Sequence, residues 1–558
     1  MKKHVHATAL ILLSLFTWSA SSLKVSAQTD QSYANKIGVD LDGLGDSNRS
    51  KPLIDLGKTL RGWDIVGEKK RTTIDDHGWP TTDASSVFFD IRPFGAWAPP
   101  MDDPDKFQPD WSGTYKLSFQ GQATLDFVEE TSLQVQNQKY DPATNLTTAD
   151  IIVPQGTGLL CIAFKETKRT PDSAAGSGIT QVHLIRPGYS PDTKAIFTDE
   201  FLASLKPFAV LRFMDWLQTN HNPGFYGDPG HHALNWADRH VPDDATQADY
   251  GNKYGVAWEY VVELAKASGK DIWINIPIAA TDDYVKNLAQ MLKQQLPPTT
   301  NIYIEHSNEV WNFSFPQYSY NKMAAIDEVK QGGSKLNSDG EKNEEVWTHR
   351  RHAKRLIEIG DIFRDAFGSA DAARIRPVYA SWVISAKPHY EDVLSWVDKT
   401  YGPPKNYFYA LAGAAYFDIA KAPKDADVPT LLKTMQASSD AHVKDRLALQ
   451  EIADHYGLKN FQYEIGPDVG GGKTENIANR IQSNRDPAMK DLILHDAKDN
   501  WFAHGGDLYM YFSFCSSSSR HGCWGLSEDI ANLNTPKWQA IYELTGTAPP
   551  APTPTPTK

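Results

Sequence analysis

The sequence predicts an α/β fold: a (β/α)8 barrel with an accessory antiparallel β-sandwich inserted after the first barrel strand. Three observations carry this reading. From residue 201 onward, short apolar segments alternate with helix-period segments, as parallel strands joined by helical crossovers require. Before that, seven short strand-like pieces are separated by Gly, Pro and Asp, with no long amphipathic helix among them. Finally, IGVDLDG (residues 37–43) supplies the one strand otherwise missing from an eightfold barrel.

The chain starts with an expected export signal over residues 1–27. Lys2 and Lys3 precede a short apolar run, and Val25-Ser26-Ala27 offers a small-residue cleavage site before Gln28. That run is too short for a comfortable membrane span, and no later segment reaches the needed apolar length. The mature protein is therefore expected to be soluble and secreted or periplasmic, with no transmembrane segment. A formal net charge of -13 argues against nucleic acid and anionic membrane surfaces as partners.

Residues 28–85 should hold the first barrel strand, 86–190 the sandwich, and 191–544 the rest of the barrel. The closing TGTAPPAPTPTPTK (545–558) has a composition that cannot build a core and reads as an extended tail. The predicted barrel strands after the first are 209–215 (AVLRFMD), 271–277 (DIWINIP), 301–309 (NIYIEHSNE), 374–382 (RIRPVYASW), 407–417 (YFYALAGAAYF), 460–466 (NFQYEIG) and 507–514 (DLYMYFSF). Helical period is visible over 256–267, 282–295, 345–367, 439–456 and 477–503.

Only three cysteines occur, too few for a disulfide scaffold or a Cys-rich zinc site. Cys515 and Cys523 bracket a Ser-rich loop, and in an exported chain a disulfide between them is expected. Cys161, within LLCIAF, reads as a buried small hydrophobe.

Chemistry enters through the barrel interior. Strand alternation sets Arg212 opposite Leu211 and Phe213, Asn275 opposite Ile274 and Ile276, and Gln462 and Glu464 opposite Phe461, Tyr463 and Ile465. In 301–309, Tyr303, Glu305, Ser307 and Glu309 share one face, while Ile302, Ile304, His306 and Asn308 share the other. With the apolar sets covering helices, Arg212, Asn275, Glu305, Glu309, Gln462 and Glu464 are left to the interior. Buried carboxylates must be paired, hydrogen-bonded or protonated. Arg212 can hold one glutamate ionised as a nucleophile, and a second without its own cation stays protonated as a general acid. Retaining glycosidases need that division, with the two carboxyl groups about 5 Å apart.

These motifs resemble those of the clan A retaining glycoside hydrolases. Asn308-Glu309, in SNEVWN, is similar to the Asn-Glu acid/base pair ending strand four of their TIM barrel. Glu464, in FQYEIGPD, is similar to the nucleophile ending strand seven. The resemblance implies that Asn308 binds the sugar 2-hydroxyl and that Arg212 steadies the nucleophile. It implies that Tyr416 contacts that nucleophile and that Trp524 forms a platform under the sugar. Trp311 completes the expected substrate contacts near the acid.

Other clusters are weaker. The loop 221–249 holds His221, His231, His232, His240 and Asp238, without the helical His-x-x-x-His pair of a zinc protease. Subsite lining with Trp236 as a stacking face is the expectation, and no metal is assigned. Asp215, closing the second strand, is a candidate hydrogen-bond acceptor for sugar. Asp40, Asp42 and Gly45 begin a calcium-loop pattern that fails at Leu44 and Lys51. Gly472-Lys473-Thr474 copies the end of a phosphate loop whose leading glycine is replaced by Pro467.

The expected activity is hydrolysis of a β-linked poly- or oligosaccharide by double displacement, without a cofactor. Glu464 is the nucleophile and Glu309 the acid/base. A non-catalytic carbohydrate-binding protein on the same scaffold is the alternative.

Overall fold

The first strand, β1 (Ile37–Asp40), is followed in the chain by seven antiparallel strands: β2 (Ala84–Asp90), β3 (Gly113–Gln120), β4 (Gln122–Phe127), β5 (Gln134–Asp141), β6 (Leu146–Val153), β7 (Leu159–Lys168) and β8 (Thr180–Ile185). They form a three-stranded sheet ordered β2-β7-β4 and a four-stranded sheet ordered β5-β6-β3-β8. Inward residues of both sheets share one core, including Phe89, Tyr115, Phe119, Ile151, Ile162 and Phe164. This computed structural model describes residues 32–92, 109–221, 233–248, 255–472 and 475–550. The expected export signal, His231, His232 and Lys473-Thr474 lie outside the described residues.

The barrel resumes with β9 (Val210–Arg212), β10 (Asp271–Ile276), β11 (Ile302–His306), β12 (Ile375–Ala380) and β13 (Ala410–Ala414). After the two-residue strand β14 (Phe417–Asp418) come β15 (Lys459–Ile465), its short partner β16 (Pro467–Asp468) and β17 (Leu508–Tyr511). Eight of these strands close in the order β1-β17-β15-β13-β12-β11-β10-β9. β1 closes the ring by pairing in parallel with both β9 (Asp40 opposite Arg212) and β17 (Val39 opposite Tyr511). The expected accessory insert after the first barrel strand is therefore present.

Helices follow the apolar period. Asp282–Gln295 starts at a Thr281 cap whose side chain accepts from the Tyr284 N–H, and it buries Tyr284, Val285, Leu288 and Leu292. The period at 439–456 belongs to a longer helix, Val428–Tyr456, capped by Asp427 and stopped by left-handed Gly457. The segment 477–503 is not one helix. Ile477–Arg485 stops before Pro487, and Ala488–Leu494 begins after it, because proline has no N–H for the continuing ladder.

Two apolar layers position the site. Ile272, Ile274, Ile302 and Ile304 face outward to the helices. Val210, Trp273, Tyr303, Phe461, Leu508 and Met510 fill the barrel interior. The small residues Ala380, Ala410 and Ala412 make room there for the large rings. Gly38 does the same for Met510, whose sulfur would lie 2.1 Å from a β-carbon at that position.

The two sheets and the barrel are stitched by buried polar contacts. Arg186 Nε donates to the Leu53 carbonyl at 2.9 Å, and Lys58 Nζ donates to the Pro242 carbonyl at 2.8 Å.

Candidate active site

Arg212, at the end of β9, is fully buried and forms the hub of the barrel mouth. Nε and Nη2 donate to Glu305 Oε2 at 3.2 and 2.9 Å. Nη1 donates to Asp40 Oδ1 at 2.6 Å and to Glu464 Oε1 at 2.8 Å. The remaining Nη2 proton goes to Asn308 Oδ1 at 2.8 Å. Every N–H of the guanidinium fork is thus used, and the plane is fixed. Trp273 and Tyr463 add rings 5.6 and 5.3 Å from the guanidinium carbon.

One cation cannot hold three buried carboxylates equally ionised. Burial pushes Asp40 well above the usual carboxylate range, against the lowering effect of Arg212. Glu305 is also raised by burial, although Arg212, Trp273 and Asn275 all donate to its Oε2. Glu464 accepts from Arg212 on one oxygen and from the Tyr416 hydroxyl on the other, at 2.9 Å.

Glu309 is bound differently. Its Oε1 accepts from the Tyr463 hydroxyl at 3.0 Å and its Oε2 from the Asn312 amide at 2.8 Å, both neutral donors. Burial first, and then the charge of Glu464, push its pKa up to about 7. The two glutamates therefore interact across one site, one held by a cation and the other poised to carry a proton.

Backbone irregularities bring these side chains together. Regular alternation places Asn308 opposite Glu309, yet both reach the site. Ser307 and Glu309 adopt left-handed φ of 60° and 41°, which resets the direction of the chain after β11. On β15, register shifts occur against both neighbours, after Gly413 on β13 and between Gln462 and Ile465. The irregularity aims Tyr463 and Glu464 at one site, one to Glu309 and the other to Arg212. The expectation that Phe461 and Tyr463 cover helices is corrected: both belong to the interior cluster.

Other predicted residues fall in three groups. Tyr416 and Asn308 lie in the cluster. Asp215 lies close enough for Glu464 to act on it, and burial first and then that charge push its carboxyl up to about 7. Trp311 donates its N–H to the Tyr463 oxygen at 3.3 Å, beside the acid.

Asn275 is completely buried and donates to Glu305 and to the Ser307 carbonyl, so it supports the site from below rather than facing a substrate. Trp236 has other partners: Arg239 lies 4.2 Å over its ring, and Tyr284 packs edge-on at 5.4 Å. One face of its indole is taken by this neighbouring cation. His240 is tied to the Gly255 carbonyl at 2.7 Å. Trp524 packs edge-on against Phe512 at 5.9 Å, and Phe512 meets Tyr416 at 6.0 Å. Phe512, rather than Trp524, is the aromatic directly following β17.

Cys515 and Cys523 are both free and buried, so the expected disulfide is absent. Ser527 donates to the Cys515 sulfur at 3.9 Å, and Ser518 is bonded to Cys523, so each thiol has its own hydroxyl partner. Cys161 is buried, as its apolar setting suggests.

Sequence reasoning missed Tyr463 as a partner of the acid, and it missed Trp382. The latter stacks on Trp311 with ring centres 5.6 Å apart and planes 1° from parallel. The only sequence signal for Trp382 was its place at the end of a predicted strand.

No protein-family model and no curated protein matches this chain. Among solved structures, it is similar to the GH51 arabinofuranosidase from Xanthomonas axonopodis pv. citri, with 11% identity and a TM-score of 0.39 over 64% of this chain and 68% of that one. It is similar to a GH39 β-xylosidase from Caulobacter crescentus at 13% identity and TM-score 0.33, covering 62% and 67% of the two chains. An endo-1,4-β-xylanase from Penicillium canescens gives 12% identity and TM-score 0.32, over 65% and 92%. These likenesses are remote, and the chemistry of the site rests on its own geometry.

Proposed function

We propose that this protein is an exported retaining glycoside hydrolase acting on β-linked poly- or oligosaccharide. The observation that carries the reading is the unequal treatment of two glutamates at one barrel mouth. Glu464 is held by Arg212, whereas among the described residues Glu309 has only neutral donors, and burial pushes its pKa up to about 7.

In the first step a Glu464 oxygen attacks the anomeric carbon. The glycosidic C–O bond breaks, and the leaving oxygen takes the proton of Glu309. In the second step water attacks the glycosyl ester, gives its proton to Glu309 and restores the Glu464 carboxylate. Tyr416 donates to Glu464, Asn308 shares Arg212 with it, and Asp215 offers an acceptor for a sugar hydroxyl. Residues of this chain supply every proton transfer, so no cofactor is invoked. The export reading rests on the composition of residues 1–27 and predicts a mature N-terminus at Gln28.

The test is incubation with a panel of plant, bacterial and fungal polysaccharides, followed by product sizing and NMR of the first-formed anomer. Release of a β-configured reducing end supports the proposal. Glycan binding without new reducing ends, or an initially inverted product, overturns it.

A further inference from the structure

The aromatic groups around the two glutamates fall into two sets by their contacts. Tyr416, Phe512 and Trp524 form a chain of edge contacts that begins at Glu464. Trp311 and Trp382 belong to the other carboxylate. The Tyr463 hydroxyl donates to Glu309 and accepts the Trp311 N–H, and Trp382 lies parallel on Trp311. A nucleophile addresses the sugar being transferred, and an acid addresses the oxygen of the departing group. Whatever departs must therefore pass the Trp311–Trp382 side.

Trp382 is built as a fixed surface. One face is covered by Trp311, and its ring meets His389 nearly edge-on, 5.7 Å away at 85°. His389 is itself held by the Ser381 hydroxyl at 3.0 Å. Despite these supports Trp382 remains 39% exposed, which is uncommon for a large aromatic locked on two sides. A rigid, flat, open indole, joined to Glu309 through Trp311 and Tyr463, loses little conformational freedom on binding and matches the apolar face of a pyranose ring.

We infer that Trp382 is the platform for a sugar unit on the leaving-group side, so that the departing group is itself a saccharide and the natural substrate an oligomer or polymer. This rests on the glycosidase reading above and extends it to the substrate class.

The experiment compares wild type, Trp382→Ala and Trp382→Phe on two probes. One is whichever of the cello-, xylo- or manno-oligosaccharides the wild type cleaves; the other is the β-glycosyl fluoride of the same sugar, whose leaving group has no ring to stack. Trp382→Ala is expected to lower kcat/KM on the oligosaccharide roughly 10- to 100-fold, as loss of a central aromatic contact does, and to leave the fluoride rate unchanged. Trp382→Phe should retain most oligosaccharide activity. Equal losses on both probes, or no loss on either, overturn the platform while leaving the glycosidase reading in place. If the wild type releases no reducing ends from these oligosaccharides or from the polysaccharide panel, the glycosidase reading itself has failed, and the platform falls with it.

Discussion

Tyr463 and Glu464 are consecutive residues that serve different carboxylates: the Tyr463 hydroxyl bonds Glu309, while the Glu464 carboxylate is bonded by Arg212. A regular strand would send these two side chains to opposite faces. The register shift in β15 removes that restriction and ties Glu464 and the partner of Glu309 to a single piece of backbone.

Loss of either glutamate should cost kcat several orders of magnitude without unfolding the protein. The two losses should differ in kind. Glu309→Gln removes proton delivery, so an aryl glycoside with an acidic phenol as leaving group should recover much of the first-step rate. Glu464→Gln should stay inactive on both substrates. Kinetics on matched good and poor leaving groups check this, and equal recovery in the two variants contradicts the assigned roles.

The pH profile should follow the acid. Glu309 has a pKa of about 7 and must be protonated to act, so activity should fall as pH rises through that value. The Tyr463 hydroxyl donates to Glu309 and favours its ionised form. Tyr463→Phe should therefore raise that pKa and move the alkaline limb of kcat/KM to higher pH. A limb that stays put, or moves down, counts against this contact.

Stability should fall over the same pH range. Asp42, Asp215 and Glu309 are all raised to about 7, burial being the first cause for each. Between their ordinary values near 4 and about 7, the folded state binds more protons than the unfolded chain, so stability decreases as pH rises. Asp215→Asn removes one such cost. It should stabilise the protein by about 1–2 kcal/mol at pH 8 and by almost nothing at pH 4, where the native carboxyl is already neutral. Denaturant titrations at the two pH values measure the difference.

Arg212→Met should be among the most damaging substitutions in the barrel. It strands Asp40, Glu305 and Glu464 without their cation, a loss of about 3–5 kcal/mol at pH 7. The loss should shrink on acidification as Asp40 and Glu305, both raised by burial, gain protons. A loss that does not change with pH would indicate packing rather than charge.

The parts of the site that obey strand alternation could be read from the residues. Arg212, Asn275 and Glu305 turn inward as their spacing implies, because β9, β10 and β11 are regular through those positions. Asn308 and Tyr463 departed from the pattern because left-handed residues and a register shift break the period of two. Composition likewise does not reveal that Arg239 lies over one face of Trp236. The helical period drawn over 477–503 ran through Pro487, whose missing N–H splits it into two helices, and the Trp311–Trp382 stack joins two separate loops with no local signature.

The position of the insert also bears on the order in which this chain can fold. β1 emerges first, yet its barrel neighbours β9 and β17 lie beyond the whole antiparallel region. Ser513 donates to Asp42 across 471 positions of sequence. Helical crossovers between β10 and β15 can pair early through nearer partners, but the ring cannot shut until the last strand has been made. Assembly is thus expected to end at the seam around β1, where ends so distant in sequence must find each other slowly. A chain that completes itself only at its final strand stays open longest during synthesis.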